Sequence, residues 1–155
     1  MFLYLVQHGE ANSAGEDPTR GLTEKGVQNV RDVSAHAKML NAKPNWIYHS
    51  GKARSMQTAQ MLAEHLKLEK GLSETDGLSP MDDPLIWAKR IAAMNNDVMI
   101  VGHLPHLARL AGLLLCGDKE KTPVDFKMGG MVCLKRLDDG RWAVEWMIVP
   151  QFSGE

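Results

Sequence analysis

The chain has 155 residues, with 18 Lys and Arg against 19 Asp and Glu, and 44% of its residues are hydrophobic. The near-balanced charge excludes a nucleic-acid binder that tracks phosphates through a surplus of cations, and the apolar fraction excludes a disordered chain. A chain of this length buries roughly 68–70% of its unfolded surface, enough for one core, so residues 1–155 are expected to form a single domain.

Residues 1–6 lack the basic flank and small-residue cleavage site of a signal peptide, and Phe2–Gln7 reads as a short apolar strand covered on both faces. Residues 12–21 are polar, contain Gly15 and Pro18, and predict a loop. Thr23 can cap the helix that follows, with Glu24 in its first turn. Val27, Val30, Val33, Ala37 and Leu40 form that helix's stripe, and residues 41–44 break it. Trp46–His49 predicts a second strand. Ala53, Met56, Ala59, Ala63 and Leu66, widened by Leu62, predict a second helix. Residues 72–78 read either as a short strand or as extended loop. Asp83 and Pro84 supply a cap and a first-turn proline for a helix reaching about Met94. Val98, Met99, Ile100 and Val101 make a buried strand. Pro105 then opens a helix to Cys116, stopped by Gly117. The apolar run at 110–116 is far short of the ~20 residues that span a bilayer, so no membrane association is expected. Residues 131–137 and 142–149 around Asp138-Asp139-Gly140 predict a C-terminal β-hairpin. Cys116 and Cys133 are too few for a disulfide scaffold and are expected as reduced, buried side chains of a cytoplasmic protein. The alternation of strands and helices points to an α/β layer architecture.

Chemistry gathers where strands end. His8-Gly9 follows the first strand, Ser50-Gly51 the second, with Arg54 opening the next helix, and Gly102-His103 follows the strand at 98–101. In an open parallel sheet the carboxyl ends of strands share one edge, and ligands bind there. Right-handed crossovers turn the following helices so that their N-termini face that edge, where backbone N–H groups favour an anion. Two imidazoles and a guanidinium at such an edge suit a phosphate or carboxylate. Taken singly, each is more simply a polar residue in a loop; together at equivalent strand ends they predict a site.

The motifs carrying these residues resemble one family. Leu5-Val6-Gln7-His8-Gly9-Glu10-Ala11 is similar, with one departure, to the R-H-G signature of the histidine phosphatase superfamily. Leu22-Thr23-Glu24-Lys25-Gly26 resembles its L-T-x-x-G segment, and residues 50–59 its S-x-x-x-R-x-x-Q-T-A segment. Val101-Gly102-His103-Leu104-Pro105 resembles the G-H-x-P form of its second histidine motif. Order and spacing fit over residues 1–116, and the short chain and H-x-P form look most like the SixA-type phosphohistidine phosphatases.

The resemblance implies a phosphoglycerate mutase-like fold, a three-layer α/β/α sandwich with a mostly parallel central sheet. It implies His8 as nucleophile, phosphorylated during turnover, with Arg54 and His103 holding the phosphoryl oxygens and Gln7 and Gly9 completing the phosphate site. Gln7 is the departure: it keeps hydrogen-bond donors and lacks the family arginine's charge, and Arg20 is the nearby cation that could replace it. Glu74, Asp76, Asp82 and Asp83 are the acids available near the site, and Asp83 is more simply a cap. A phosphoimidazole needs little acid help, which favours a phosphohistidine-containing protein over a small phosphorylated substrate. A phosphate-binding module weakened in turnover and a metal site built from His8, Glu10, His103 and His106 are the competing readings. No cofactor, metal, nucleic acid or membrane is expected, and the chain is expected to be a monomer. His36, His49 and His65 receive no task, while His106 falls near the pocket.

Overall fold

Successive side chains of a strand face opposite ways, so a strand apolar at consecutive positions needs cover on both sides. The first strand meets that condition, and a computed structural model, which describes residues 1–150, provides the cover. In chain order the elements are β1 (Phe2–Gln7), α1 (Glu24–Met39), β2 (Trp46–His49), α2 (Ala53–His65), β3 (Leu72–Glu74), α3 (Pro84–Ala92), β4 (Val98–Gly102), α4 (His106–Cys116), β5 (Met131–Arg136) and β6 (Trp142–Ile148). The strands form one six-stranded sheet in the order β3-β2-β4-β1-β5-β6. Strands β1 to β4 pair in parallel, while β5 and β6 add antiparallel at the β1 edge.

One face of β1, carrying Leu3 and Leu5, packs with Val98, Ile100, Val132 and Leu134 under α3 and α4 through Trp87, Ile91, Leu107 and Leu110. The other face, carrying Tyr4 and Val6, packs with Ile47, Met99, Val101 and Met131 under α1 and α2 through Val33, Ala37, Ala59 and Leu62. The result is a three-layer α/β/α sandwich. Its neighbours β1 and β4 send their following helices to opposite faces, which opens a crevice between their carboxyl ends.

Local signals act as their chemistry requires. Thr23 Oγ1 accepts from the Gly26 N–H at 2.9 Å, capping α1, and Asp83 Oδ1 accepts from the Leu85 N–H at 3.0 Å, capping α3 behind Pro84. Gly117, at φ 69°, ends α4 in the left-handed conformation. The hairpin closes with Leu137 N–H donating to Arg141 O at 2.7 Å, and its two strands shift register between Cys133 and Leu134.

Residues 72–78, which read as either short strand or extended loop, form the three-residue β3 followed by a bend. Several other expectations need correction. Pro105 stands at the N-cap of α4, and His106 is its first helical residue. Leu40 caps α1 and is exposed, because the buried face of α1 is centred on Gly26, Val30, Val33, Ser34 and Ala37. In α2 the buried residues are Ser55, Thr58, Ala59, Leu62 and Ala63, so two hydroxyls lie on the face expected to be apolar. Cys116 is exposed at the last turn of α4, whereas Cys133 is buried, which pushes its thiol up to about 12.

Glycine at position 26 is a packing requirement. A Cβ there would lie 2.2 Å from the Glu10 carbonyl oxygen, so α1 can dock against the loop after β1 only with a bare Cα. In an open helix Gly→Ala gains about 0.5–1 kcal/mol; here Gly26→Ala is expected to lose roughly 1–3 kcal/mol through overpacking. A lower urea midpoint at unchanged slope checks it.

Candidate active site

The register between β1 and β4 pairs Gln7 with Gly102, so the next residue of each strand, His8 and His103, emerges beside the other. The His8 N–H continues the ladder by donating to Gly102 O at 3.1 Å. The two imidazole rings stand 5.0 Å apart between centroids and are inclined at 50°.

His8 is held in one tautomer by its neighbour. Its Nδ1 lies 2.7 Å from the Gly9 carbonyl oxygen. A carbonyl only accepts, so the neutral ring carries its proton on Nδ1 and leaves the Nε2 lone pair free. Burial lowers the His8 pKa below its ordinary 6.5, the Gly9 carbonyl opposes that shift, and the charges of Arg54 and Arg20 lower it further. Gly9 is anchored in turn: its N–H donates to Thr58 Oγ1 at 3.0 Å, and the Thr58 hydroxyl donates to Arg54 O at 2.8 Å. The Gly129 N–H adds contacts of 3.0 Å to both Gln7 O and His8 O. The closest approach at Gly9 is to α1, where a Cβ would meet Val30 Cγ2 at 2.9 Å, so this glycine serves the packing of the loop on the helix.

Arg54, in the first turn of α2, is partly buried, and burial followed by the field of Arg20 lowers its pKa. Arg20 is exposed at φ 54° in the loop after β1, near enough to act electrostatically on both His8 and Arg54. Asp17 and Gln57 are among the side chains that hold that loop. Asp17 accepts from Thr19 N–H, Thr19 Oγ1 and Gly21 N–H at 3.0, 2.8 and 2.9 Å. Gln57 Oε1, one turn beyond Arg54 on α2, accepts from the Leu22 N–H at 2.8 Å.

His103 is 2% exposed, and its Nε2 lies 2.6 Å from Ser50 Oγ. Ser50 Oγ also accepts from the Lys52 N–H at 3.3 Å. The Ser50 N–H donates to Ser55 Oγ at 3.2 Å, and the Ser55 hydroxyl donates to Val101 O at 2.7 Å, which ties the loop after β2 to β4. Burial, followed by the charges of His8, Arg54, Lys52 and His106, pushes His103 down to about 3, so at neutral pH it is an uncharged ring with a single N–H. Gln7 is buried at the end of β1, and its Oε1 has no partner within the protein.

The structure therefore brings Gln7, His8, Gly9, Arg54 and His103 to one crevice and sets the charge of Arg20 against it. Three of the four acids considered from sequence are engaged elsewhere, and the fourth, Glu74, stands beside the loop after β2. Glu74 covers Gly51, where a Cβ would meet its Cδ at 2.6 Å, and Asp76 pairs with Arg90 at 3.0 Å. Asp82 accepts from the Ser79 N–H at 2.9 Å, and Asp83 caps α3. Glu10 accepts from Thr23 Oγ1 at 3.2 Å and lies 3.9 Å from Lys25 Nζ. Among the described residues no three His, Cys, Asp or Glu side chains converge as metal ligands would, so the metal reading built on His8, Glu10, His103 and His106 has no geometric support. His49, given no task from sequence, accepts the Gly51 N–H on Nδ1 at 3.1 Å. Sequence reasoning assigned no roles to Ser50, Gln57 and Thr58, although all three lie in the segment around Arg54. Thr58 carried a usable signal, because it stands four residues after Arg54 on the same helix face. Gly129 carried none.

A family model described as histidine phosphatase superfamily (branch 1) matches residues 3–82. An uncharacterized protein of Picosynechococcus sp. is 29% identical over 144 residues, covering 87% of this chain and 85% of its own. Among solved structures, the protein histidine phosphatase SixA complexed with tungstate superposes with a TM-score of 0.86 at 22% identity, over 97% of each chain. A protein from Agrobacterium tumefaciens, assigned as a phosphohistidine phosphatase SixA, gives 0.80 at 24% identity, over 96% of this chain and 97% of its own. At these identities the two structures establish likeness of fold. Among the described residues no helix is long and apolar enough to cross a membrane.

The electrostatics of the crevice can be read directly from the ring nitrogens. In an NMR titration, His8 is expected to titrate below 6.5 and to carry its neutral proton on Nδ1. Arg54→Met removes a nearby positive charge and is expected to raise the His8 pKa; an unchanged or lower value would refute the arrangement.

Proposed function

We propose that this chain, which belongs to the histidine phosphatase superfamily, hydrolyses phosphohistidine on a partner protein through a covalent phosphohistidine on His8. The observation that carries the reading is the Gly9 carbonyl on His8 Nδ1, which leaves Nε2 free and unprotonated beside His103. Nε2 attacks phosphorus, and the bond from phosphorus to the substrate's ring nitrogen breaks. The departing imidazole keeps that electron pair and takes a proton from solvent. Water then attacks the phosphorylated His8, releases inorganic phosphate and restores the ring. Arg54 grips the phosphoryl oxygens with a charge-assisted fork, Arg20 adds a second positive charge, and Gln7 contributes amide donors without charge. His103 donates its single N–H to the same oxygens. No step requires a metal or a cofactor.

The choice of substrate rests on the leaving group. An alkoxide needs a proton as it departs; of the acids weighed for that task, Asp76 is paired with Arg90, Asp82 holds the Ser79 N–H, Asp83 caps α3, and Glu74 lies against Gly51 and His49. Imidazole leaves far more readily than an alkoxide. The SixA relatives, described as phosphohistidine phosphatases, support the same choice, and the tungstate held by one of them is an oxyanion of phosphate-like shape. The chain is further proposed to act as a cytoplasmic monomer, a single domain over residues 1–155, without nucleic-acid or membrane partners. Gln7 favours one second reading, a phosphoprotein-binding module with weak turnover.

The decisive comparison sets a phosphohistidine-bearing protein against p-nitrophenyl phosphate. Faster turnover of the protein, with acid-labile label trapped on the wild type and absent from His8→Ala, is the expected outcome. Preference for the small ester would move the assignment to a general phosphatase, and tight binding without label would favour the module.

Two further outcomes follow from charge. Arg20→Ala is expected to lower kcat/KM by roughly 10–100-fold, less than the ~10²–10³ lost with a donor in direct contact because Arg20 is proposed to act through its field; an unchanged value would mark Arg20 as a bystander. Because only unprotonated His8 attacks and its pKa is lowered, activity is expected to rise with pH along a limb lying below 6.5 and to be level at neutrality. A rising limb centred above 6.5 would contradict this.

A further inference from the structure

Among the described residues, four buried side-chain atoms have no hydrogen-bond partner within the protein: Gln7 Oε1, His103 Nδ1 and both ring nitrogens of His106. They belong to one neighbourhood. Gln7 pairs in register with Gly102, His103 follows directly, and His106 opens α4, whose first turn is tied back by Leu107 N–H donating to His103 O at 2.9 Å. Gln7 is 8% exposed, His103 2% and His106 0%. The remaining buried residues on α4 are Leu107, Leu110, Ala111 and Gly112, so His106 is the polar exception on a face built from apolar groups. Buried polar atoms without partners are costly, and four together at one sheet edge are not what packing alone selects.

We propose that His106 is a positioning residue for His103, acting through an ordered water that joins its ring to Gln7 Oε1 and to His103 Nδ1. The hydrogen bonds balance. His106 donates its one N–H to the water, and the water donates one hydrogen to Gln7 Oε1 and the other to His103 Nδ1. With Nδ1 accepting, the single proton of the neutral His103 ring resides on Nε2, which donates it to Ser50 Oγ in the unliganded chain and exchanges that acceptor for a phosphoryl oxygen when substrate binds. His106 is itself kept neutral by burial, against the opposing fields of Asp82 and Asp83 at the start of α3, so it has one donor to give. Gln7 acquires a role as well: its oxygen faces inward as an acceptor, which a guanidinium could not be. The catalytic consequence rests on the phosphatase reading above, whereas the tautomer itself does not.

The test uses ¹⁵N-histidine NMR on the unliganded full chain together with steady-state kinetics. Wild type is expected to show His103 protonated on Nε2. In His106→Leu the proton shifts to Nδ1, kcat falls by about ten- to a hundredfold with KM little changed, and His106→Gln, which restores a donor, recovers the tautomer and most of kcat. If His106→Leu leaves both the His103 tautomer and kcat unchanged, and raises the melting temperature as removal of an unpartnered core imidazole would, the proposal is overturned. Should His106→Leu fail to fold, His106→Met, which also lacks the donor, carries the same tautomer readout, and an unmoved tautomer there overturns it equally. A His103 tautomer that responds to these variants in a chain without turnover on any phosphorylated substrate upholds the positioning and overturns the phosphatase reading instead.

Discussion

The parallel pairing of β1 with β4 is the constraint on which the rest of the site depends. Gln7 and Gly102 are opposite one another, and each strand ends at that level, so the next residue of each chain segment is an imidazole at the same edge. Because α1 covers one face and α4 the other, no helix crosses the gap between them. A shift of the pairing by one residue would break this alignment and turn every core side chain of β1 to the wrong layer. The burial of Leu3, Tyr4, Leu5 and Val6 therefore stabilises the geometry of the two histidines as well as the fold.

Around that fixed pair, α2 gives up part of its apolar face to hold loops. Ser55 binds the loop after β2 to the Val101 carbonyl, Thr58 receives the Gly9 N–H, and Gln57 receives the Leu22 N–H. A helix chosen for burial alone would carry aliphatic residues at Ser55 and Thr58, both of which are fully buried. Each hydroxyl is satisfied by a backbone group, so the polar atoms cost little in the core and, with Gln57, fix the loops after β1 and β2 relative to Arg54. The spacing R-x-x-Q-T thus has a physical reason. Arg54 and Thr58 lie one turn apart on the same face, and Gln57, adjacent to Thr58, reaches the far end of the same loop after β1.

This explains which parts of the molecule were legible in the amino-acid sequence. Apolar runs such as Val98 to Val101, the Thr23 and Asp83 caps and the Asp138-Asp139-Gly140 turn are local signals, and each formed the element it predicts. His8, Arg54 and His103 were legible because their places at strand ends and a helix start follow from topology. The α2 stripe matches the buried face at Ala59, Leu62 and Ala63 and misses Ser55 and Thr58, because helix periodicity was treated as a map of apolar burial while these two are buried with their hydroxyls bonded to backbone. Leu40 and Cys116 were expected inside because apolar type was read without the end of the helix in view, and both stand at or beside a terminus where the core has ended. Gly129, which steadies the carbonyls of Gln7 and His8, meets them only through long-range folding, and no local pattern announces it.

The same low-dielectric setting that keeps the His8 ring neutral, with its Nε2 lone pair free, acts on its partner. Burial and the positive charges of Arg54 and its neighbours hold both rings neutral, which suits the attack proposed for His8 and leaves His103 with one proton for two nitrogens. A charged His103 would donate from both positions and need no guidance; a neutral one must carry the proton on the correct side. Under the proposed function, control of the tautomer is therefore a requirement created by the same electrostatics that keep His8 neutral. It has been met differently at the two rings: at His8 by the adjacent Gly9 carbonyl, and at His103, under the proposal above, by side chains from β1 and α4 that share no local sequence with it.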